Sequence, residues 1–364
     1  GDITIDGSIG GTLYIGGCIR DAHNYKRTRC NNNGDILVNT SAGTGIFIGG
    51  ITYDGGAKMY FIDCHNTGDI IMSKTSSAKS YVALGGIVGK IESKSASNYN
   101  VLDGCSNSGN IIIKGNPASE GYCSVGGAYG FMYGKSKVIV DKGFTNSGDI
   151  IFEGTNNGAY KQDDTLQNRN FVNLGGLFGV VYSTIVFSNE ANPSWTGDVV
   201  NTGTIKFAGY CKNAVQLGGF AGYLQGSTPT ITDGQIINLG NIVCTGTYDP
   251  SYAQNGIGGI AGHSNSTINN AKVHCLVEAV GAPNVGMITG SERTEATLVS
   301  SCEIGGAICT TTEEKETTDG GVSKVPVVVE ITADNFYEYI YAGTTAWADT
   351  NYDGCQFLSV KPTI

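Results

Sequence analysis

Proline and charge are scarce in this 364-residue sequence. With 7 prolines it is neither a collagen-like chain nor a proline-rich linker. Charged residues make up 15% of the chain, the net charge is -10, and Lys and Arg nowhere gather into a cluster. The basic footprint of a nucleic-acid or anionic-membrane partner is therefore missing, and no nucleic acid is expected. No apolar run approaches the ~18 residues of a membrane-spanning helix. A signal peptide is also absent: the sequence opens on GDITIDG, which reads as the tail of a repeat, so a portion of a longer secreted protein is expected. What fills the space is glycine, 55 residues of it, beside Ser, Thr and Asn, a balance that suits β structure with many turns.

Two short motifs alternate along the chain. One is CHNTGDIIM at 64 to 72, with versions CNNNGDILV from Cys30, CSNSGNIII from Cys105, FTNSGDIIF from Phe144, VVNTGTIKF from Val199 and IINLGNIVC from Ile236. The other is a Gly-Gly motif: IGGCI at 15, IGGIT at 48, LGGIVG at 84, VGGAYG at 125, LGGLFG at 174, LGGFAG at 217 and IGGIAG at 257, with a worn VGMITG at 285. Successive copies start 33, 36, 41, 49, 43 and 40 residues apart. A period in this range means stacked units that each bury an apolar face only against a neighbour.

The units read as strands. Val82 and Leu84 before a Gly-Gly, or Ile70 and Met72 after an Asn turn, place apolar residues at alternate positions. A third apolar stretch, such as VLDGC at 101, precedes the Asn motif, so three strands per turn are expected. Stacked in register, Asn32, Asn66, Asn107, Asn146, Asn201 and Asn238 form one column, in which each amide donates and accepts between rungs and to turn backbone. The Gly two residues later supplies a positive φ or a close approach. The first letter of the motif, Cys, Phe, Val or Ile, only has to be apolar and inward. The expected fold is all-β: a right-handed parallel β-helix, a three-sided β-solenoid, over residues 1–310.

Gly176-Leu177-Phe178-Gly179 and its relatives Gly86 to Gly89, Gly219 to Gly222 and Gly259 to Gly262 resemble the GLUG motif of large secreted or surface-anchored bacterial proteins, including adhesins and some peptidases. The resemblance covers roughly residues 10 to 290. It implies a surface-exposed β-solenoid with an adhesin-like role, and it transfers no catalytic residue because the motif is scaffold. Arg20 and Tyr53 stand where the closing Gly belongs in the first two copies, so looser N-terminal coils are expected.

The 11 cysteines would suggest disulfides in a secreted protein, but their register argues otherwise. Cys30, Cys64 and Cys105 share a column with Phe144, Val199 and Ile236; Cys18 aligns with Ile51 and Ile87; Cys244 aligns with Met72 and Ile113. Mostly free, buried thiols acting as small hydrophobes are expected. His23, His65, His263 and His274 show no shared spacing and read as turn or surface residues rather than ligands. Asp35, Asp69 and Asp149 share a column interrupted by Asn110, Thr204 and Asn241, which points to turn hydrogen bonding rather than calcium. No metal and no cofactor are called for.

Function is sought in two insertions. The chain spends 29 residues from Asn146 to Gly175 against 17 to 20 elsewhere, and the run from Gly176 to Asn201 is also the longest of its kind. EGTNNGAYKQDDTLQNRN at 153 and SNEANPSWTGD at 188 carry Tyr160, Asp163, Asp164, Arg169, Glu190 and Trp195, the aromatic, carboxylate and guanidinium groups that sugar recognition uses. The preferred reading is a non-catalytic, extracellular or cell-surface adhesin-like protein holding a glycan or a host or bacterial surface protein on one flank. A β-helix carbohydrate-active enzyme, which would need two carboxylates facing one bond, and a passive stalk are the alternatives. Residues 311–323 read as a flexible polar loop, and 324–364 as a cap with a short helix from Thr332, with Phe336, Tyr339 and Ile340 on one face and Gly343 past its end. Trp347 and DGCQFL at 353 are expected to pack back on the stack.

Overall fold

The computed structural model describes all residues except 22–25, 42, 57, 76–79, 94, 96–97, 118–120, 135–136, 159–170, 184–196, 226–233, 293–298, 319–320, 342–353 and 364. The chain is all-β. Its strands lie in long sheets of 19, 8 and 8 strands, and nearly every pairing is parallel and joins a strand to its counterpart one repeat away. This is the arrangement that a β-solenoid requires. No helix among the described residues is long and apolar enough to cross a membrane.

One rung runs through Tyr81–Gly85, Val88–Ser93, Tyr99–Asn107 and Ile111–Gly115. Three of these follow the expected strands; Val88–Ser93, after the Gly-Gly, is additional. It escapes period-two reading because its inward residues, Val88 and Ile91, are three apart across a kink beside the closing Gly89. The strands before Gly-Gly form one 8-stranded sheet, called the Gly-Gly sheet below, and those after it form the other, called the third sheet. The two strands around the Asn turn belong to the 19-stranded Asn sheet.

Register follows the motifs. Ile36, Ile70, Ile111 and Ile150 lie opposite one another, as do Asn32, Asn66, Asn107 and Asn146, and the isoleucines are completely buried. Each ladder amide uses both hydrogens. Asn66 Nδ2 donates to Asn107 Oδ1 at 2.7 Å and to its own turn at Gly68 O at 2.9 Å; Asn107 Nδ2 does the same to Asn146 at 2.8 Å and Gly109 at 2.9 Å. The chain of amides runs unbroken from Asn32 to Asn238, where Cys275 Sγ takes the next position at 3.4 Å.

The two motifs interlock. A Cβ on Gly86 would collide with Gly127 O and lie 2.5 Å from Asn107 Cγ and Oδ1, so the second Gly of each pair makes room for the amide ladder. A second column stands beside it: Asp35 Oδ1 accepts from Asp69 N at 2.9 Å, Asp69 Oδ1 from Asn110 N at 2.8 Å, Asn110 Oδ1 from Asp149 N at 3.0 Å, and Asp149 Oδ1 from Thr204 N at 2.7 Å. Only the shared Oδ1 is used, which is why Asp and Asn interchange there.

None of the 11 cysteines is held in a disulfide, and eight are buried. Cys64 and Cys105 stack beneath Phe144, while Cys18, in the first rung, is exposed despite its alignment with the fully buried Ile51.

The C-terminal end departs from expectation. Thr311 to Glu316, expected as loop, belongs to the strand Glu303–Glu316, which pairs antiparallel with Val322–Glu330. Thr311 to Glu316 are exposed, so polarity there reflects a ribbon wet on both faces rather than absent structure. The expected helix is a single 3-10 turn, Phe336–Tyr339. Its N-cap position is Asn335 rather than Thr332, and Asn335 Oδ1 instead reaches back to Thr332 N at 2.7 Å. Ile340 is buried, and its carbonyl accepts from Ile288 N at 3.1 Å. Gln356–Phe357, from the DGCQFL stretch, pairs parallel with Glu303 and Ile304; Gly343 and Trp347 lie outside the described residues.

Candidate functional site

Tyr160, Asp163, Asp164, Arg169, Glu190 and Trp195 all lie outside the described residues. What is described is the pair of strands between the two insertions, Val172–Gly175 and Phe178–Ser183, and these build one level of a longitudinal cleft.

The cleft forms where the outer faces of the Gly-Gly sheet and the third sheet converge. Outward positions on the first run in register through Tyr14, Phe47, Ala83, Ser124, Asn173 and Gln216. Those on the second run through Lys90, Phe131, Val180, Tyr223, His263 and Ser291. Of these, Phe47, Ala83, Phe131, Val180 and Tyr223, together with Tyr122, make a hydrophobic cluster separate from the main core, with Tyr53, Tyr81, Tyr133 and Tyr182 half-buried along its rim. The closing glycine permits this approach: a Cβ on Gly130 would stand 2.6 Å from both Leu84 N and Leu84 O of the facing sheet. The first rungs, which have Arg20 and Tyr53 instead, keep only the short strands Ile19–Asp21 and Thr52–Asp54.

Aromatic rings line the cleft along the axis. Tyr122 and Phe131 stack at 4.0 Å and 4°, Tyr133 and Tyr182 at 5.6 Å and 2°, and Tyr14 meets Tyr53 at 4.6 Å. Lys90 Nζ sits 5.0 Å from the centre of the Phe47 ring and 2.7 Å from Glu92. Burial pushes the Tyr122 phenol well above its ordinary range, with the negative charge of Glu92 adding to it. Towards the C-terminus the lining turns polar: the His263 ring stacks on Tyr223 at 5.1 Å, and its Nδ1 shares a hydrogen bond with Ser291 Oγ at 2.8 Å. At the level between, Tyr122, Phe131, Phe171, Asn173, Gln216 and Tyr223 surround a small pocket, partly open to solvent, with room for little more than a water molecule. The cleft had a weak signal in the sequence, the recurrence of Tyr and Phe within a few residues of each Gly-Gly.

A second polar group lies on the outer face of the Asn sheet. His65 Nδ1 pairs with Ser106 Oγ at 2.8 Å and Nε2 with Asp63 Oδ1 at 3.0 Å. Its composition is that of a hydrolytic triad, but the Ser106 amide is taken by Cys64 O at 3.2 Å and so is not free to stabilise an oxyanion. The trio pairs rungs across an open sheet face.

No protein-family model matches the chain, and neither a curated protein nor a solved structure is found to match it.

Proposed function

We propose that this chain is a non-catalytic, adhesin-like protein of the cell surface or extracellular space, of GLUG-repeat type, wound as a right-handed, three-sided solenoid, that binds glycans on the flank carrying the cleft. The observation that supports it is the aromatic-lined cleft itself. Phenol and phenyl faces offer flat apolar surface with polar edges, the pairing that sugar rings present in mirror image. A rigid parallel scaffold holds these rings without the ordering cost that a loop-borne site incurs.

A glycan array read with wild type, a Tyr133→Ala/Tyr182→Ala variant and a Tyr160→Ala/Trp195→Ala variant tests the proposal. Binding by wild type that falls at least tenfold in either variant supports it. No bound glycan, or binding indifferent to both substitutions, removes it.

A further inference from the structure

One inward column, the first position of each Asn motif and its equivalents in the last rungs, holds five of the 11 cysteines, and they sit only at its two ends. Cys30, Cys64 and Cys105 stack one rung apart at the first end. Cys302 and Cys355 do so at the other, one residue before the register pair Glu303 and Gln356. Between them the column is hydrocarbon, running in register from Phe144 to Ala271. A small hydrophobe would serve equally at any rung, so packing alone does not account for a thiol pair where the stack meets its cap. In that pair Cys302 is 0% exposed, Cys355 is half-buried, and the two thiols are in hydrogen-bond contact. That contact, and then burial, push the Cys302 thiol well above its ordinary range, which leaves Cys355 as the sulfur that an outside reagent meets first.

The cap strand Gln356–Phe357 has two residues and, among the described residues, pairs on one side only. Gln356 N donates to Cys302 O at 2.8 Å and Leu358 N to Ile304 O at 2.9 Å, with Lys361 Nζ reaching Leu239 O at 2.9 Å. Register partners on parallel strands lie about 4.8 Å apart at Cα, inside the ~4.4–6.8 Å that bridged cysteines span. Their Cβ atoms, at a similar spacing, must close by a few tenths of an ångström to reach the ~3.5–4.5 Å of a bridge. A short strand free on its outer edge can make that shift. Cys64 cannot, because neighbouring rungs hold it from both sides.

We infer that Cys302 and Cys355 are an oxidation site, a thiol pair that closes into a cap-locking disulfide when the chain meets a low-molecular-weight disulfide such as oxidised glutathione. The Cys355 thiolate attacks one sulfur of the oxidant, breaking its S–S bond and releasing one glutathione thiolate. The Cys302 thiolate then attacks Cys355 Sγ and expels the second. Two protein thiols are oxidised, the oxidant is reduced to two thiols, and the two protons pass to them. The bond ties the last rung to a strand about 50 residues later in the chain, so it closes a long loop and fixes the cap on the core.

The test incubates the native, reduced chain with oxidised glutathione, digests it without reductant for mass spectrometry, and reads amide hydrogen exchange before and after. Expected is a peptide linked through Cys302 and Cys355, lighter by two hydrogens than its two halves, with exchange at the Gln356 and Leu358 amides slowed about tenfold. Cys355→Ala, a replacement that Ala271 shows this column to accept, should abolish both the linked peptide and the slowing. A glutathione adduct that persists on Cys355 overturns the assignment, as does a bond from either residue to a different cysteine. So does linkage that appears only after unfolding in urea, or linkage that leaves exchange unchanged. Should Cys355→Ala fail to fold, Cys302→Ala takes its place: the reaction should stop there at the glutathione adduct on Cys355, and an unmodified Cys355 in that variant overturns the assignment as well.

Discussion

Asn107→Ala puts the amide ladder to its hardest test. The substitution removes three hydrogen bonds: the one received from Asn66, the one given to Asn146, and the one given to Gly109 O. All partners are buried, with Asn66, Asn107 and Asn146 each 0% exposed. Each broken bond forfeits about 1 kcal/mol net, and each group left without a partner in a dry interior adds up to about 2 kcal/mol more. A loss of about 3–9 kcal/mol follows, large beside the ~5–15 kcal/mol that stabilises a typical domain. Urea unfolding gives the total, and amide hydrogen exchange gives its location. Because rungs interact with neighbours only, the amides of Thr67 to Ile70 and Ser147 to Ile150 are expected to lose protection before those of the C-terminal rungs. Thr67→Ala, at the exposed position of the equivalent turn one rung earlier, serves as control and should cost under about 0.5 kcal/mol. A loss below about 1 kcal/mol in Asn107→Ala, or a uniform rise in exchange along the chain, would refute the ladder as a source of stability.

Other consequences are as direct. Gly86→Ala drives a methyl group into Gly127 O and Asn107, so it should unfold the local rungs or abolish soluble expression, whereas Gly10→Ala meets nothing within 4 Å and should leave the melting temperature within 1–2 °C of wild type, as expected of surface changes. Burial pushes the Lys74 ammonium from 10.5 down to about 8, so the unfolded chain holds that proton more tightly and the full penalty applies below pH 8. Stability should therefore climb from about pH 8 to 10.5 in wild type; Lys74→Met should be more stable at pH 7, by at most about 3 kcal/mol, with the gap closing over that window. A gap independent of pH would contradict the assignment. Desolvation, with Cys30 and Cys64 nearby, raises the exposed Cys18 thiol to about 11, so its alkylation by iodoacetamide should keep accelerating above pH 9, while the buried thiols react only on unfolding; a rate that levels off at pH 9 would be inconsistent with the geometry.

The columns were legible because each position repeats its chemistry: Asn for Asn, Gly for Gly, and apolar for apolar where Cys105 gives way to Phe144. Legibility failed where chemistry does not repeat. A left-handed corner precedes the Asn strand at Arg29, Asp63, Gly104, Asn270, Ser301 and Gly354, each with φ between 51° and 70°. Their identities vary because the neighbouring rungs dictate the bend, and a non-glycine there costs about 1 kcal/mol that tertiary packing overrides. The strand after Gly-Gly was hidden for a related reason, as its kink breaks the two-residue period. The cleft needed knowledge of which outer faces converge, and that depends on a glycine acting against a different rung. The stretch from Thr311 to Glu316 looked like loop because a strand exposed on both faces has no apolar alternation to read.

The one-way donation along the Asn ladder makes the number of rungs, though not their length, quantised. Removing residues 64–104 would bring Asn32 against Asn107 with every donor still facing an acceptor, whereas removing half that stretch would turn inward side chains outward. Descendants of such a gene can add or drop whole turns without breaking the line of amides, while residues gained between strands, as in the 33- to 49-residue spacing of the copies, lengthen a turn and leave that line intact.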